Sequence, residues 1–238
     1  MSNRCVVSIA FRQPYVGYQA YFMKSYEATG NTIPVVSWTD EYPPGSPTHQ
    51  QVNYAFKYHA IQECIRRGFT SILWLDCACY FRGRVEPLFD LIEGIGHHLI
   101  PDENALGKWI SDKGLEYFGL TRDEAMKLKL LCGTCYGFDT TNARTQEFLR
   151  AWGESYEAGF WGAFYGGSYR DGASLASMLS TDSRCQGHRS DEAAAAVIAY
   201  RLGMATTSIG YSPFGGGMCY APHVLINSGY DMAVRKPL

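Results

Sequence analysis

No apolar run in this 238-residue chain approaches the ~20 residues that a membrane-spanning helix needs, so no membrane span is expected. The opening MSNRCVVSIAFRQPY lacks the long apolar core of a secretory leader, because Arg12 and Pro14 end its short hydrophobic stretch. On that reading the chain is expected to be cytoplasmic. An excess of charge is also missing: 21 Lys and Arg face 23 Asp and Glu, a formal charge of −2. That argues against nucleic-acid binding by bulk charge and leaves only a local basic groove to consider. Internal repeats and domain linkers are lacking too, and the length suits one domain with at most a small appendage. Cysteine is the exception, with eight. In a cytosolic chain these are expected to be reduced thiols. Cys132-Gly-Thr-Cys135 has the CxxC spacing of a zinc or redox site. It has no second CxxC, however, and Cys77-x-Cys79 is too tight to be its usual partner, so both cysteines are read as small core residues of a strand.

What is present alternates. Val6 to Phe11 reads as a buried strand, and Pro14 sits where a helix accepts proline. A helix over Tyr15 to Ala28 follows, stopped near Gly30, then a strand over Ile33 to Trp38 and a loop at Tyr42 to Pro47. Gln51 to Arg67 reads as a helix, with Val52, Ala55, Phe56, Ala60, Cys64 and Ile65 near one face at the 3.6 period. Ile72 to Leu75 is the third strand. The alternation predicts an α/β fold with a mainly parallel sheet flanked by helices. Further along, Val85 to Ile95 reads as a short helix, Leu99-Ile100 as a strand, and Thr121 to Glu124 as a capping box. Leu130 to Asp139 reads as a strand and Thr141 to Glu157 as a helix. Gly159 to Ala173, dense in glycine and aromatics, reads as an extended loop. Asp191 to Leu202 reads as a helix with Ser190 as its cap. Residues 1–211 are expected to form the main domain, and 212–238 an irregular tail packing on or near the ligand site.

The stretch SILWLDCACYFRG, Ser71 to Gly83, ends an apolar run on Asp76. In open parallel α/β sheets ligands sit at the carboxyl ends of strands. A carboxylate there can accept from a ribose hydroxyl or hold a hard cation. The aromatic loop, with Trp161, Tyr165 and Tyr169, offers rings to stack on a sugar or base and is the candidate acceptor-binding segment. Asp191 and Glu192 open a helix, where the dipole alone favours acids.

Phe56-Lys57-Tyr58-His59-Ala60, Arg66-Arg67-Gly68-Phe69, ILWLDCACYFRGRVEPLF, the strand Cys132 to Asp139 and His188-Arg-Ser-Asp191-Glu192 together resemble nucleotide-sugar glycosyltransferases of the GT-A fold. In those enzymes a strand ends in LWLD-x-D. The likeness spans roughly Val6 to Leu202 and rests on short motifs. It implies a nucleotide-diphosphate sugar donor, commonly a UDP-sugar, and a hydroxyl acceptor, whether saccharide, lipid-linked glycan, protein or modified DNA base. It implies that Asp76 touches ribose and metal, that Arg12 meets base and ribose, and that Asp191, with Glu192 in reserve, activates the acceptor. It also implies Mn²⁺ or Mg²⁺. Here the chain departs from the pattern, because Ala78 stands at the second acidic position and has no oxygen to offer. Two routes follow: His223 supplies a ligand beside Asp76, or Lys57, Arg82 or Arg84 neutralises the diphosphate without metal. The same departure admits a non-catalytic nucleotide-sugar-binding protein. A phage-type enzyme that glycosylates a DNA base is the other alternative, with base flipping assisted by aromatic side chains.

Overall fold

The computed structural model describes residues 3–161 and 179–206, and the backbone of residues 211–212 and 226–228. Its centre is a five-stranded sheet in the order β2-β1-β3-β6-β5. β1 (Arg4–Ala10) pairs in parallel with β2 (Val35–Thr39) and β3 (Ser71–Leu75). β6 (Lys129–Asp139) runs against both β3 and β5 (His97–Ala105), so four strands point one way and β6 alone is reversed.

The sheet is buried on both faces, and strand period two sorts its side chains between two cores. Val7, Ile72 and Trp74 face α2 (Ala55–Arg66), α6 (Ala143–Glu157) and α7 (Ser190–Arg201). Val6, Leu73 and Leu75 face α1 (Tyr15–Ala28) and α3 (Glu86–Ile95). Two glycines of β6 let helices come close. A Cβ on Gly137 would lie 2.5 Å from Ile92 Cδ1 of α3, and one on Gly133 would lie 2.7 Å from Glu192 Cγ of α7. The Ala193–Ala196 run keeps α7 slim on that side.

The expected architecture is present, with local corrections. α2 starts at Ala55, not Gln51, because Tyr54 turns into the left-handed region at φ 61°. β2 starts at Val35, after Pro34, which has no N–H to give a ladder. β5 runs to Ala105 through Pro101 with register shifts, and polar Asp102, Glu103 and Asn104 hid it from pattern reading. Ser190 does not cap α7: Arg189 is at that position, with no side-chain cap bond. α4 (Asp112–Phe118), capped by the Ser111 hydroxyl accepting from Gly114 N–H, was not expected, whereas the Thr121–Glu124 capping box opens α5 (Arg122–Met126) as read. β4 (Cys79–Phe81) forms a small second sheet with β8 (Ile226–Ser228) and β7 (Tyr211–Ser212). The expected tail lies mostly outside the described residues, but its β8 backbone pairs with the strand that follows Asp76. Cys132 and Cys135 are buried in β6, as core thiols would be. Among the described residues no helix is long and apolar enough to cross a membrane.

His188, buried, joins the segment before α4 to the one that follows α6. Its Nδ1 accepts from Ser111 N–H at 3.3 Å, and Nε2 lies 3.0 Å from the Phe160 carbonyl. The tautomer that serves both bonds is neutral with the proton on Nε2. Burial pushes its pKa down to about 4, from 6.5. His98 on β5 is also pushed down to about 4, by burial and then by His97. A depressed histidine stabilises the fold fully above its unfolded pKa, and that contribution is lost as pH falls towards the folded value. Chemical denaturation from pH 7 to pH 4.5 is therefore expected to show falling stability. The His188 share is up to about 3 kcal/mol over the full window. His188→Gln should flatten the slope, and an unchanged slope would remove His188 from the account.

Candidate active site

Asp76 follows β3 directly. Its N–H bonds the Thr134 carbonyl of β6 at 2.9 Å, and its carbonyl takes Cys79 N–H at 2.9 Å, closing the tight turn into β4. The carboxylate is thus fixed at the carboxyl edge of a parallel strand. Its Oδ1 accepts from Trp74 Nε1–H at 3.0 Å, and Lys57 Nζ is 3.7 Å from the same oxygen.

Lys57, in the first turn of α2, was expected to neutralise a diphosphate. It is instead buried, donating to the Gly133 carbonyl at 2.8 Å and to Asp191 Oδ2 at 3.0 Å. The rings of Tyr54, Trp74 and Tyr136 surround it at 4.8, 5.8 and 5.9 Å. Burial works against this ammonium, but Asp191, Asp76 and Glu192 outweigh it and hold its pKa above the ordinary lysine value. Burial raises Asp76, with Lys57 and then Trp74 opposing. Asp191 is raised by burial as well, again against Lys57. Glu192 stands beside the pair: Oε1 accepts from Gly133 N–H at 3.0 Å and Oε2 from Arg189 at 2.8 Å. Burial raises it too, with Arg189 opposing.

Asp76 is the member of this network that opens outward, its side chain 20% exposed against 3% for Asp191. It borders a cleft of about 570 Å³ whose walls include Phe11, Arg12, Tyr15, Asp40, Tyr42, His49, Tyr54, Phe56, Trp74, Cys77 and Ala78. The Phe11 and Tyr42 rings stack at 4.1 Å. The cleft therefore has an aromatic end and a carboxylate end, which suits a ligand with a flat ring and hydroxyls. Cys77 in its wall is no nucleophile at neutral pH, because burial and then Asp76 push its thiol up to about 12.

Of the residues singled out from sequence, Asp76, Lys57, Asp191 and Glu192 come together, and Arg12 lines the cleft. Arg82 and Arg84 are exposed and do not line it, and Arg84 pairs with Glu86 at 2.6 Å. Trp161 is not on an open loop. It is fully buried, its Nε1–H donating to Ser155 at 2.8 Å and its ring 4.6 Å from Trp152, so it stabilises the core. Tyr165, Tyr169 and His223 lie outside the described residues. Asp40, Tyr42, His49 and Tyr54 were missed. The apolar period of α2 began before Tyr54 and masked the break there, and Asp40 falls between the expected strand and the expected loop with no signal of its own.

A divalent cation on Asp76 would need several oxygen ligands. The neighbouring acidic position is Ala78, and the nearest charge is an ammonium 3.7 Å away. Among the described residues no group of three His, Cys, Asp or Glu side chains is arranged to hold a metal. Among the described residues, then, none completes a metal site with Asp76.

No family model and no curated protein matches the sequence. Solved structures do. Mouse xyloside xylosyltransferase 1 matches with a TM-score of 0.52 at 9% identity, covering 98% of this chain and 99% of that one. Galactosyltransferase LgtC matches at 0.40 and 14% identity, over 65% of this chain and 64% of its own, and Streptococcus pneumoniae GlyE at 0.41 and 14%, over 79% and 45%. At these identities the likeness is one of fold: the architecture is that of GT-A-type glycosyltransferases.

Proposed function

We propose that this protein moves a sugar from a nucleoside-diphosphate donor to an acceptor hydroxyl. The observation that carries this reading is Asp76, delivered by β3 into an aromatic-walled cleft and backed by the buried Lys57–Asp191 pair. Asp76 accepts from donor hydroxyls. Arg12, in the cleft wall, meets the diphosphate. Lys57 holds Asp191 and Asp76 in register. Glu192, with its side chain 15% exposed, serves as the general base in preference to the deeper Asp191. The reaction proceeds without a divalent cation, in keeping with Ala78 and the adjacent ammonium. The acceptor is a hydroxyl on a saccharide, lipid-linked glycan, protein or modified DNA base.

Titration calorimetry with uridine and guanosine diphosphates, with Mn²⁺ and with EDTA, tests the donor site, and nucleotide release from the matching sugar donors tests turnover. Binding that survives EDTA and release that follows it are expected. No binding of either nucleotide would sink the reading. Binding without release would favour a non-catalytic nucleotide-sugar-binding protein, the second reading that Ala78 recommends.

A further inference from the structure

Among the described residues three non-glycine positions have positive φ: Arg12 at 58°, Asp40 at 57° and Tyr54 at 61°. All three line the same cleft. The other left-handed positions described are glycines, the residue without a Cβ penalty there. Aspartate is among the few residues that visit this region, and the Asp40 side chain is held from β1's end, accepting from Arg12 N–H at 2.7 Å. Tyrosine is not among those residues. Strained backbone of this kind is retained where the surroundings over-determine it, and it gathers at ligand sites.

Tyr54 borders two things at once. Its ring is 4.8 Å from the Lys57 ammonium, and the same residue forms part of the cleft wall. Its carbonyl accepts Lys57 N–H at 3.0 Å, so the left-handed turn also sets where α2, and with it Lys57, begins. The His49 ring braces it edge-on at 4.8 Å. An ordinary helical Tyr54 would extend α2 backwards and carry the ring away from this place.

We propose that Tyr54 is a contact residue of the donor site: its left-handed backbone holds the ring between the Lys57 ammonium and the cleft, where it packs against the bound nucleoside diphosphate. The inference rests on the donor reading above and adds a contact residue to it. Tyr54→Phe keeps the ring and should hold the Kd for uridine or guanosine diphosphate within about twofold. Tyr54→Asn and Tyr54→Gly keep the left-handed turn but lose the ring, and each should weaken binding at least tenfold while circular dichroism stays native. As a readout that needs no truncated side chain, 3-fluorotyrosine placed at 54 in the otherwise native protein should show its ¹⁹F resonance move on nucleotide addition. Wild type that binds nucleotide, with ringless variants binding equally well or a ¹⁹F resonance that stays put at saturation, overturns the role of Tyr54 and leaves the donor reading standing. A tenfold loss in Tyr54→Phe overturns it as well, by assigning the contact to the hydroxyl. Wild type that binds neither nucleotide overturns both.

Discussion

Lys57→Met is expected to cost the fold about 3–5 kcal/mol, because it strands the buried Asp191 and the half-buried Asp76, which share one counter-charge. Methionine fills much the same space, so the loss is electrostatic and not one of packing. Its pH dependence has a definite sign. Without the ammonium, burial raises Asp191 and Asp76 unopposed by Lys57, so the folded state binds protons that the unfolded state does not. Stability of the variant is then present below the ordinary carboxylate pKa and lost as pH rises through the raised values. The deficit against wild type should accordingly be smaller at pH 5 than at pH 8. Asp191→Asn added to Lys57→Met should recover part of the loss, with a coupling energy of about 1–3 kcal/mol in a double-mutant cycle by urea denaturation. Strict additivity would mean that the pair is not the unit described.

Asp76→Asn should separate function from stability. Asparagine keeps an acceptor for Trp74 Nε1–H and leaves the Lys57–Asp191 bond intact. The stability change is expected to be under about 1 kcal/mol, the usual scale of a single hydrogen bond. What disappears is the ionised acceptor at the cleft. Charge-assisted hydrogen bonds contribute about 1.5–3 kcal/mol, so nucleotide affinity should fall roughly 10- to 150-fold. Calorimetric Kd and thermal midpoint measured on the same preparation decide it. An unchanged Kd would remove Asp76 from the donor site.

Much of this molecule is visible in its sequence where one local signal suffices. Ile72 to Leu75 can only be a buried strand, and the acid that ends it falls at the ligand edge because the sheet is parallel there. Asp191 and Glu192 announce themselves as acids at a helix start. The rest depends on partners far along the chain. Lys57 falls off the apolar period of α2 and so reads as solvated, yet Asp191 and the Gly133 carbonyl satisfy it from other elements. Trp161 sits beside a glycine-rich run and reads as a loop ring, but Ser155 and Trp152 draw it inward. Tyr54 looks like any helical tyrosine, since a backbone dihedral leaves no mark on the composition of a window. The α/β architecture was legible because alternation of elements is a global pattern; the closed charge network was not, because it is a matter of side-chain placement across the sheet.

The ion pair at the heart of the site joins residues 134 positions apart in sequence. Closing so long a loop carries an entropic cost, though one that grows only slowly with its length. Without α7 docked on β6, Lys57 keeps the Gly133 carbonyl and Asp76 but lacks Asp191 and Glu192. The cleft wall is encoded mostly in the N-terminal half of the chain, while the charges that settle the carboxylate at its edge come from a helix near the other end.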